Sequence, residues 1–405
     1  MASHIGSFLL FGYFLDYRDS NVQFDFSNVD PKKYIDTPES ELIDLGIGKL
    51  KNSVRKLMDD RKEIVVPLSG GMDSRAVAAC LHEFRGGEDI ICYTYGLPGS
   101  YDYEIAREIS KKLKIRLELF SLKDYGFSIE EEGRTAERFR YQTLLFFHPP
   151  MKQLEDLVGD RVIWSGFLGG EIGGSHVLAN PSGDVRSAKE NFVKKNTYLN
   201  ADSYLDIDKS DLHDLLDLRW ENNERLHMND QLDFLNRQMK YIAPHVLMKG
   251  FEYRTPFFNT EFYDFMISLP IRYRLRKYLY KKILVKAYPD LFSFGVKENV
   301  GLKPDASMVS ILGMGLKERL LKKVQGPARR DRRLNYYDVD EEIRNNESLR
   351  RIVRKTIVGM DRRKLGLKHD PEILLKDHLA RRRNAGGFLV TLSSLRIIEE
   401  SGNLE

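Results

Sequence analysis

The chain has 405 residues, 42% of them hydrophobic and 31% charged, with a net charge of +4, enough apolar material for one large domain or two ordinary ones. No stretch approaches the ~18 apolar residues of a membrane span, and the start, Met1 to Gly6, lacks the basic-then-apolar pattern of a signal peptide. The two cysteines, Cys80 and Cys92, have no CxxC partner, which argues against a disulfide framework or a zinc ribbon and for a reducing, cytoplasmic setting.

Glu63 to Leu68 is short, apolar and β-branched and reads as a buried parallel strand. Asp73 to Leu81 reads as a helix, with apolar positions 77, 80, 81 and 84 at helical spacing. Ser69-Gly70-Gly71 turns the chain between them. Glycines let backbone approach a ligand, and the first N–H groups of a helix have no internal partner. A phosphate is their natural partner. Asp73 would repel a bare phosphate, so its place makes sense with magnesium between the two. The Gly-Lys-Ser/Thr ending of the P-loop kinases is absent.

Beyond this loop, Asp89 to Tyr95, Ile115 to Phe120 and Arg161 to Ser165 read as strands. Tyr103 to Lys114 reads as an amphipathic helix, and a mostly helical stretch runs to about Val158. The alternation predicts an α/β fold, a parallel sheet with helices on both faces, with ligands past the carboxyl ends of the strands. A second turn, Ser165 to Val177, carries five glycines at such an end. From Ala201 the chain reads as a helical half with loops near Pro256, Pro270, Pro289 and Pro304. Charge is uneven. Leu316 to Ala385 holds 21 Lys and Arg against 11 Asp and Glu, densest in Ala328 to Arg333 and Ala380 to Asn384. This is a solvated helical face or a polyanion contact. His82, His148, His176 and His245 stand alone in sequence and read as packing or surface residues. His176 lies just past the second turn.

"LSGGMDSR" resembles the pyrophosphate loop of ATP-pyrophosphatases. Four later blocks, in order, resemble the synthetase domain of the asparagine synthetase family: Thr94 to Leu113, "WSGFLGGEIGG", "FEYRTPFFNTEFYDFMISLP", and "RKYLYKKILVKAYPDL" with "FGVKENVGL". The resemblance covers about residues 10 to 305 and implies an adenine nucleotide alpha-hydrolase-like fold. It implies residues 1–55 as the connector that follows a glutaminase domain, 56–200 as the ATP-pyrophosphatase core, 201–310 as a helical part completing the site, and 311–405 as a basic helical extension. The glutaminase nucleophile, a cysteine after the initiator methionine, is replaced by Ala2. Nitrogen is therefore expected from ammonia, a separate glutaminase subunit, or an amine on the substrate.

The resemblance also implies roles. ATP and Mg2+ would be the ligands, an acyl-adenylate the intermediate, and an amine the attacking group. Leu68, Tyr95, Ser165 and Gly166 would line adenosine. Ser69, Gly70, Gly71 and Ser74 would hold pyrophosphate, with Lys277 also reaching it. Asp73 would ligate magnesium. Lys297 would stabilise charge at the reacting centre, which can contribute several kcal/mol, about one strong electrostatic contact. Glu252 and Arg254 match the acidic and basic members of a family motif, with an ion pair at a helix start as the structural alternative. The second turn departs from the pattern: the family's first acid falls at Phe167, and its later aspartate falls at Gly170. Glu171 stands next to Gly170 and is expected to take the metal role. Phe167 cannot act as a base, which puts aspartate, and with it asparagine biosynthesis, in doubt as the chemistry. Two rivals remain: an ATP-binding pseudoenzyme or scaffold, and a tRNA-modifying enzyme of the same loop type. Nucleic acid is not the favoured partner, no membrane is expected, and a homo-oligomer is left open.

Overall fold

The computed structural model describes residues 2–18, 23–60, 63–325 and 331–401, without side chains for 2–3 and 321–325. Ala328 to Arg330 of the first basic run lie outside the described residues. Five parallel strands form one sheet: β1 (Ile64–Pro67), β2 (Ile90–Gly96), β3 (Arg116–Ser121), β4 (Val162–Trp164) and β5 (Tyr253–Arg254), in the order β3-β2-β1-β4-β5. Ile64 pairs with Ile90 on one side and with Val162 on the other. The chain steps outward from β1 through β2 to β3, then crosses to β4 on the opposite flank, so the order reverses beside β1. The crevice at such a reversal is where open α/β sheets bind ligands.

Alternation along the strands splits the interior into two cores. Ile64, Val66, Ile90, Cys92, Val162 and Trp164 face one core, packed beneath α2 (Glu39–Leu57), α3 (Asp73–Arg85) and α4 (Tyr101–Leu113). Val65, Tyr93 and Ile163 face the other. That second core joins both ends of the chain. Phe8, Leu9 and Leu10 of α1 (Ala2–Phe11) share it with the helices Glu347–Ile357 and Gly386–Glu400. The last helix is buried along nearly its whole length, on every side, which marks it as a core helix. Residues 339–400 thus build one face of the sheet. Arg381 and Arg382 lie on the outer surface, paired to Glu341 and Asp377, while the Arg344 side chain, also paired to Glu341, is buried.

The predicted strands and the helix predicted from Tyr103 are present within one or two residues, and the helix that starts at Asp73 runs four residues beyond the predicted Leu81. The helical half holds one element that the sequence reading did not include: β5, two residues long, pairs with β4 through Ile163 to Tyr253 and Trp164 to Arg254.

Leu392 is fully buried in the last helix. Leu392→Ala is expected to cost about 2–5 kcal/mol, read by urea unfolding as a single transition shifted to lower denaturant. A cost below about 0.5 kcal/mol, the range of peripheral substitutions, would show that this helix is not part of the shared core.

Candidate active site

The turn after β1 is held by its own serines. The Ser69 N–H donates to Ser74 Oγ at 3.1 Å, the two hydroxyls lie 3.1 Å apart, and the Gly71 N–H donates to Ser69 Oγ at 3.2 Å. These are neutral bonds, weaker than those the same groups make to an anion. Leu68 N–H bonds the Tyr93 carbonyl at 2.8 Å, which continues the ladder to the point where the turn leaves the sheet.

The second turn closes on the first. Gly166 follows β4 so closely against α3 that a Cβ there would sit 2.7 Å from Ser74 N. No larger residue fits without parting the two turns. The short helix α7 (Gly169–Gly173) follows. The Gly170 N–H donates to Asp73 Oδ2 at 2.9 Å, and the Tyr280 hydroxyl donates to Asp73 Oδ1 at 2.7 Å. Asp73 is half-buried at this junction. Desolvation, partly offset by the charge of Lys277 and reinforced by that of Glu171, pushes its pKa up to about 7. Glu171 is raised too, by burial first and then by Asp233, while His176 works in the opposite direction.

Asp73, Gly170, Glu171, His176 and Lys277 line one cleft of about 890 Å3. Lys277 is buried, ion-paired to Glu298, and left-handed at φ 59° directly after Arg276 at φ 54°. Two successive non-glycine residues in that region carry backbone strain, which clusters at functional sites. Lys297 stands on the other side of the pyrophosphate-type turn. Its N–H bonds the Gly70 carbonyl at 3.1 Å, and its ammonium pairs with Asp102.

Leu68, Tyr95, Ser165 and Gly166 occupy the carboxyl ends of three adjacent strands. Glu252 and Arg254 do not line the cleft. Arg254 bonds Glu252 at 2.7 Å and Asp59 at 2.8 Å, an ion-pair cluster beside the edge strand β5. This is the geometry of the structural alternative, an ion pair, with Arg254 in β5 and Glu252 just before it. Phe167 is 5% exposed and packs 6.0 Å from the Phe258 ring.

Three residues of the site had no role in the sequence reading. Asp102, in the first turn of α4, accepts the Gly70 N–H at 3.0 Å and the Lys297 ammonium, tying two predicted site residues together. Its signal was an acid at the start of the helix that follows β2. Arg75 lies fully buried in α3 and donates to the carbonyls of Leu291, Phe294 and Gly295, two residues before Lys297. Burial pushes its pKa down to about 10. Asn335 donates from its side chain to the Tyr95 carbonyl at 3.0 Å, while the Tyr95 hydroxyl meets that of Tyr336 at 2.9 Å. The segment after the first basic run therefore lies over the end of β2, a long-range contact with no local sequence signature.

Residues 48–127, which span the first turn and Asp102, match the family model described as asparagine synthase. That stretch of the chain is similar to part of an asparagine synthase domain. A probable asparagine synthetase (glutamine-hydrolyzing) from Acanthamoeba polyphaga mimivirus is 26% identical over 279 residues, which is 66% of this chain and 43% of that protein. The chain therefore spans less than half the length of that curated relative. The NMN synthetase of Francisella tularensis is 15% identical, over 50% of this chain and 94% of its own, with a TM-score of 0.23, too distant to bear on fold or function. Among the described residues, no helix is long and apolar enough to cross a membrane.

The raised pKa of Asp73 has a stability consequence. From its ordinary value of 3.8 up to about 7, the folded state keeps a proton that the unfolded chain has lost. Stability therefore falls with rising pH through that window and levels off above it. Without divalent cations, wild type should lose stability relative to Asp73→Asn between pH 4 and 7 in urea unfolding. A difference between the two proteins that is constant across that range would refute the assignment.

Proposed function

We propose that the chain is an ATP-dependent, AMP- and pyrophosphate-forming amide ligase of the asparagine synthetase type. It adenylates a carboxylate for attack by ammonia or an amine. The observation that carries this reading is the junction at Asp73: two glycine-rich turns meet at the order reversal of a parallel sheet, with Lys277 in the cleft and Lys297 bonded to the first turn at Gly70.

The residues fit a magnesium–phosphate ligand. Mg2+ is usually held by one or two carboxylates together with substrate phosphates. Asp73 and Glu171 share the cleft, and each raises or is raised by nearby negative charge. A cation between them would relieve that repulsion, and Lys277 balances part of it already. Among the described residues no group of three acidic, histidine or cysteine ligands could hold a metal ion, so substrate phosphate would have to supply the remaining oxygens. When bound, magnesium would neutralise charge on the departing pyrophosphate.

The chain's own groups do the rest. Ser69, Gly70, Gly71 and Ser74 would exchange their mutual bonds for phosphate oxygens. Leu68, Tyr95, Ser165 and Gly166 would line adenosine. Lys297, pinned by Asp102 beside Gly70, would hold the negative charge that develops as the carboxylate attacks the α-phosphate. A cation fixed there before reaction needs no reorganisation during it. Glu252 and Arg254, an ion pair beside β5, would take no direct part in this chemistry.

One observation favours a second reading. Phe167 is packed into the core where the family has an acid, so an ATP-binding module that does not complete the reaction is the alternative. The paired arginines of the C-terminal segment weaken the case for a tRNA-binding face.

The test is release of pyrophosphate and AMP from ATP and magnesium, with ammonia present, across a panel of carboxylic acids that includes aspartate. AMP formation should depend on one acid and fall by about 10²–10³-fold in Lys297→Ala, the loss typical of removing one electrostatic stabiliser. ATP binding with no AMP from any acid would replace the ligase by the binding module.

A further inference from the structure

The family's base position is Phe167, yet the cleft is not without a base. Gly174 ends α7 at φ 106°, with the Arg274 carbonyl lying where a Cβ would be. Only glycine allows the chain to turn there, and the turn delivers Ser175 and His176 to the cleft wall. His176 Nδ1 lies 2.9 Å from Asp233 Oδ2. The Gln238 amide donates to the same oxygen at 3.0 Å. Asp233 is 6% exposed and opens a π-helix, Asp233–Ile242, a rare element that often sits at functional sites. Burial works against ionisation of Asp233, but the His176 hydrogen bond and charge, with Arg237, keep its carboxyl below the usual range.

An ionised carboxylate only accepts hydrogen bonds. Nδ1 of His176 therefore carries the proton it donates to Asp233, and whenever the ring is neutral Nε2 is the nitrogen with the free lone pair. Among the described residues no hydrogen bond is made to Nε2, and none joins His176 to Asp73 or Glu171. The side chain retains 27% exposure, facing the same cleft. A ring oriented by a buried carboxylate, with its second nitrogen free in a cleft, is the base half of a catalytic triad without the nucleophile.

We propose that His176, oriented by Asp233, is the general base of the amide-forming step, in place of the acid absent at position 167. The inference rests on the ligase reading given above. In that step the amine nitrogen attacks the acyl carbon of the acyl-adenylate. The carbon–nitrogen bond forms, the bond from acyl carbon to phosphate oxygen breaks, and AMP leaves with the electron pair. The proton shed by nitrogen passes to Nε2. His176 has no part in adenylation, which transfers no proton from an amine. Gln238 and Asp233 are positioning residues.

The two half-reactions separate this from a packing role. His176→Gln retains an amide N–H for Asp233 but has no basic nitrogen. With the acid identified by the panel, acid-dependent exchange of labelled pyrophosphate into ATP should stay within about twofold of wild type. Amide formation with ammonia at pH 7 should fall by about 10²–10⁴-fold, the range for a general base. Hydroxylamine is largely free base at that pH and a stronger nucleophile, so hydroxamate formation should fall by less than tenfold. If His176→Gln does not fold, Asp233→Asn must show the same split between ammonia and hydroxylamine. Equal losses with both acceptors, or undiminished transfer to ammonia, would overturn the assignment and leave the ligase standing. Absence of acid-dependent exchange in wild type would overturn both.

Discussion

A half-buried carboxylate at the head of α3 sets the terms for everything around it. Asp73 stands where two turns and a helix converge, and it cannot be there alone. A carboxylate withdrawn from water must be hydrogen-bonded or neutralised. The structure supplies Gly170 N–H from the second turn and the Tyr280 hydroxyl from the helical half. Each bond recruits a distant segment. The Tyr280 ring also packs against Gly173, where a Cβ would come within 2.8 Å of it. Gly166, Gly169, Gly170 and Gly173 of the second turn are thus explained by close approach to Asp73, its neighbour Ser74 or its partner Tyr280. The remaining deficit, seen in the raised pKa, leaves an unsatisfied preference for positive charge facing the cleft.

Two further side chains carry that order to Lys297. Arg75, two residues beyond Asp73, reaches through the core to three carbonyls just before the lysine. Asp102 grips the lysine's ammonium and the Gly70 N–H together. The flexible four-carbon stem of a lysine would otherwise spread its charge over many rotamers. Here the backbone before it is fixed by a buried guanidinium and its head by a carboxylate. The Arg75 bonds go to carbonyls and not to an acid, so the charge is spread over dipoles and the ring of Phe292, 5.3 Å away.

The sheet was legible because its signals are local. Short β-branched runs, glycine turns and helical periodicity fixed β1 to β4 and the helices between them, along with the side of the sheet where a site belongs. β5 escaped because two residues have no periodicity; it exists only because β4 offers an open edge. Gly70, Gly71 and Asp73 stood out in the turn after β1, whereas Leu68 and Lys297 were marked only by the family resemblance. Asp102, Arg75 and Asn335 act across 32 to 240 residues of sequence, and such pairings leave no spacing to detect. Glu252 and Arg254 show a related effect. Two charges two residues apart in an extended segment lie on one face and pair with each other, whether or not a ligand is near.

The second turn shows how a site can change its groups and keep its shape. At position 170 a side-chain carboxylate would press on Asp73, since even a Cβ there lies 3.2 Å from Oδ2. Glycine replaces that contact with an N–H donor, and acidity moves one residue along to Glu171. At position 167 the aromatic ring turns inward and adds to the packing under Phe258, so the turn gains apolar anchorage where it gives up an acid. Basic capacity in the cleft then has to come from outside the Phe167–Glu171 stretch. The only histidine among the cleft's lining residues is the one already aligned by a buried aspartate. The π-helix that holds that aspartate also leaves its second oxygen and the Gln238 carbonyl oxygen without hydrogen-bond partners among the described residues. Such an arrangement is costly for a core, and the cost is intelligible if the carboxylate's orientation toward His176 matters more than its own full satisfaction.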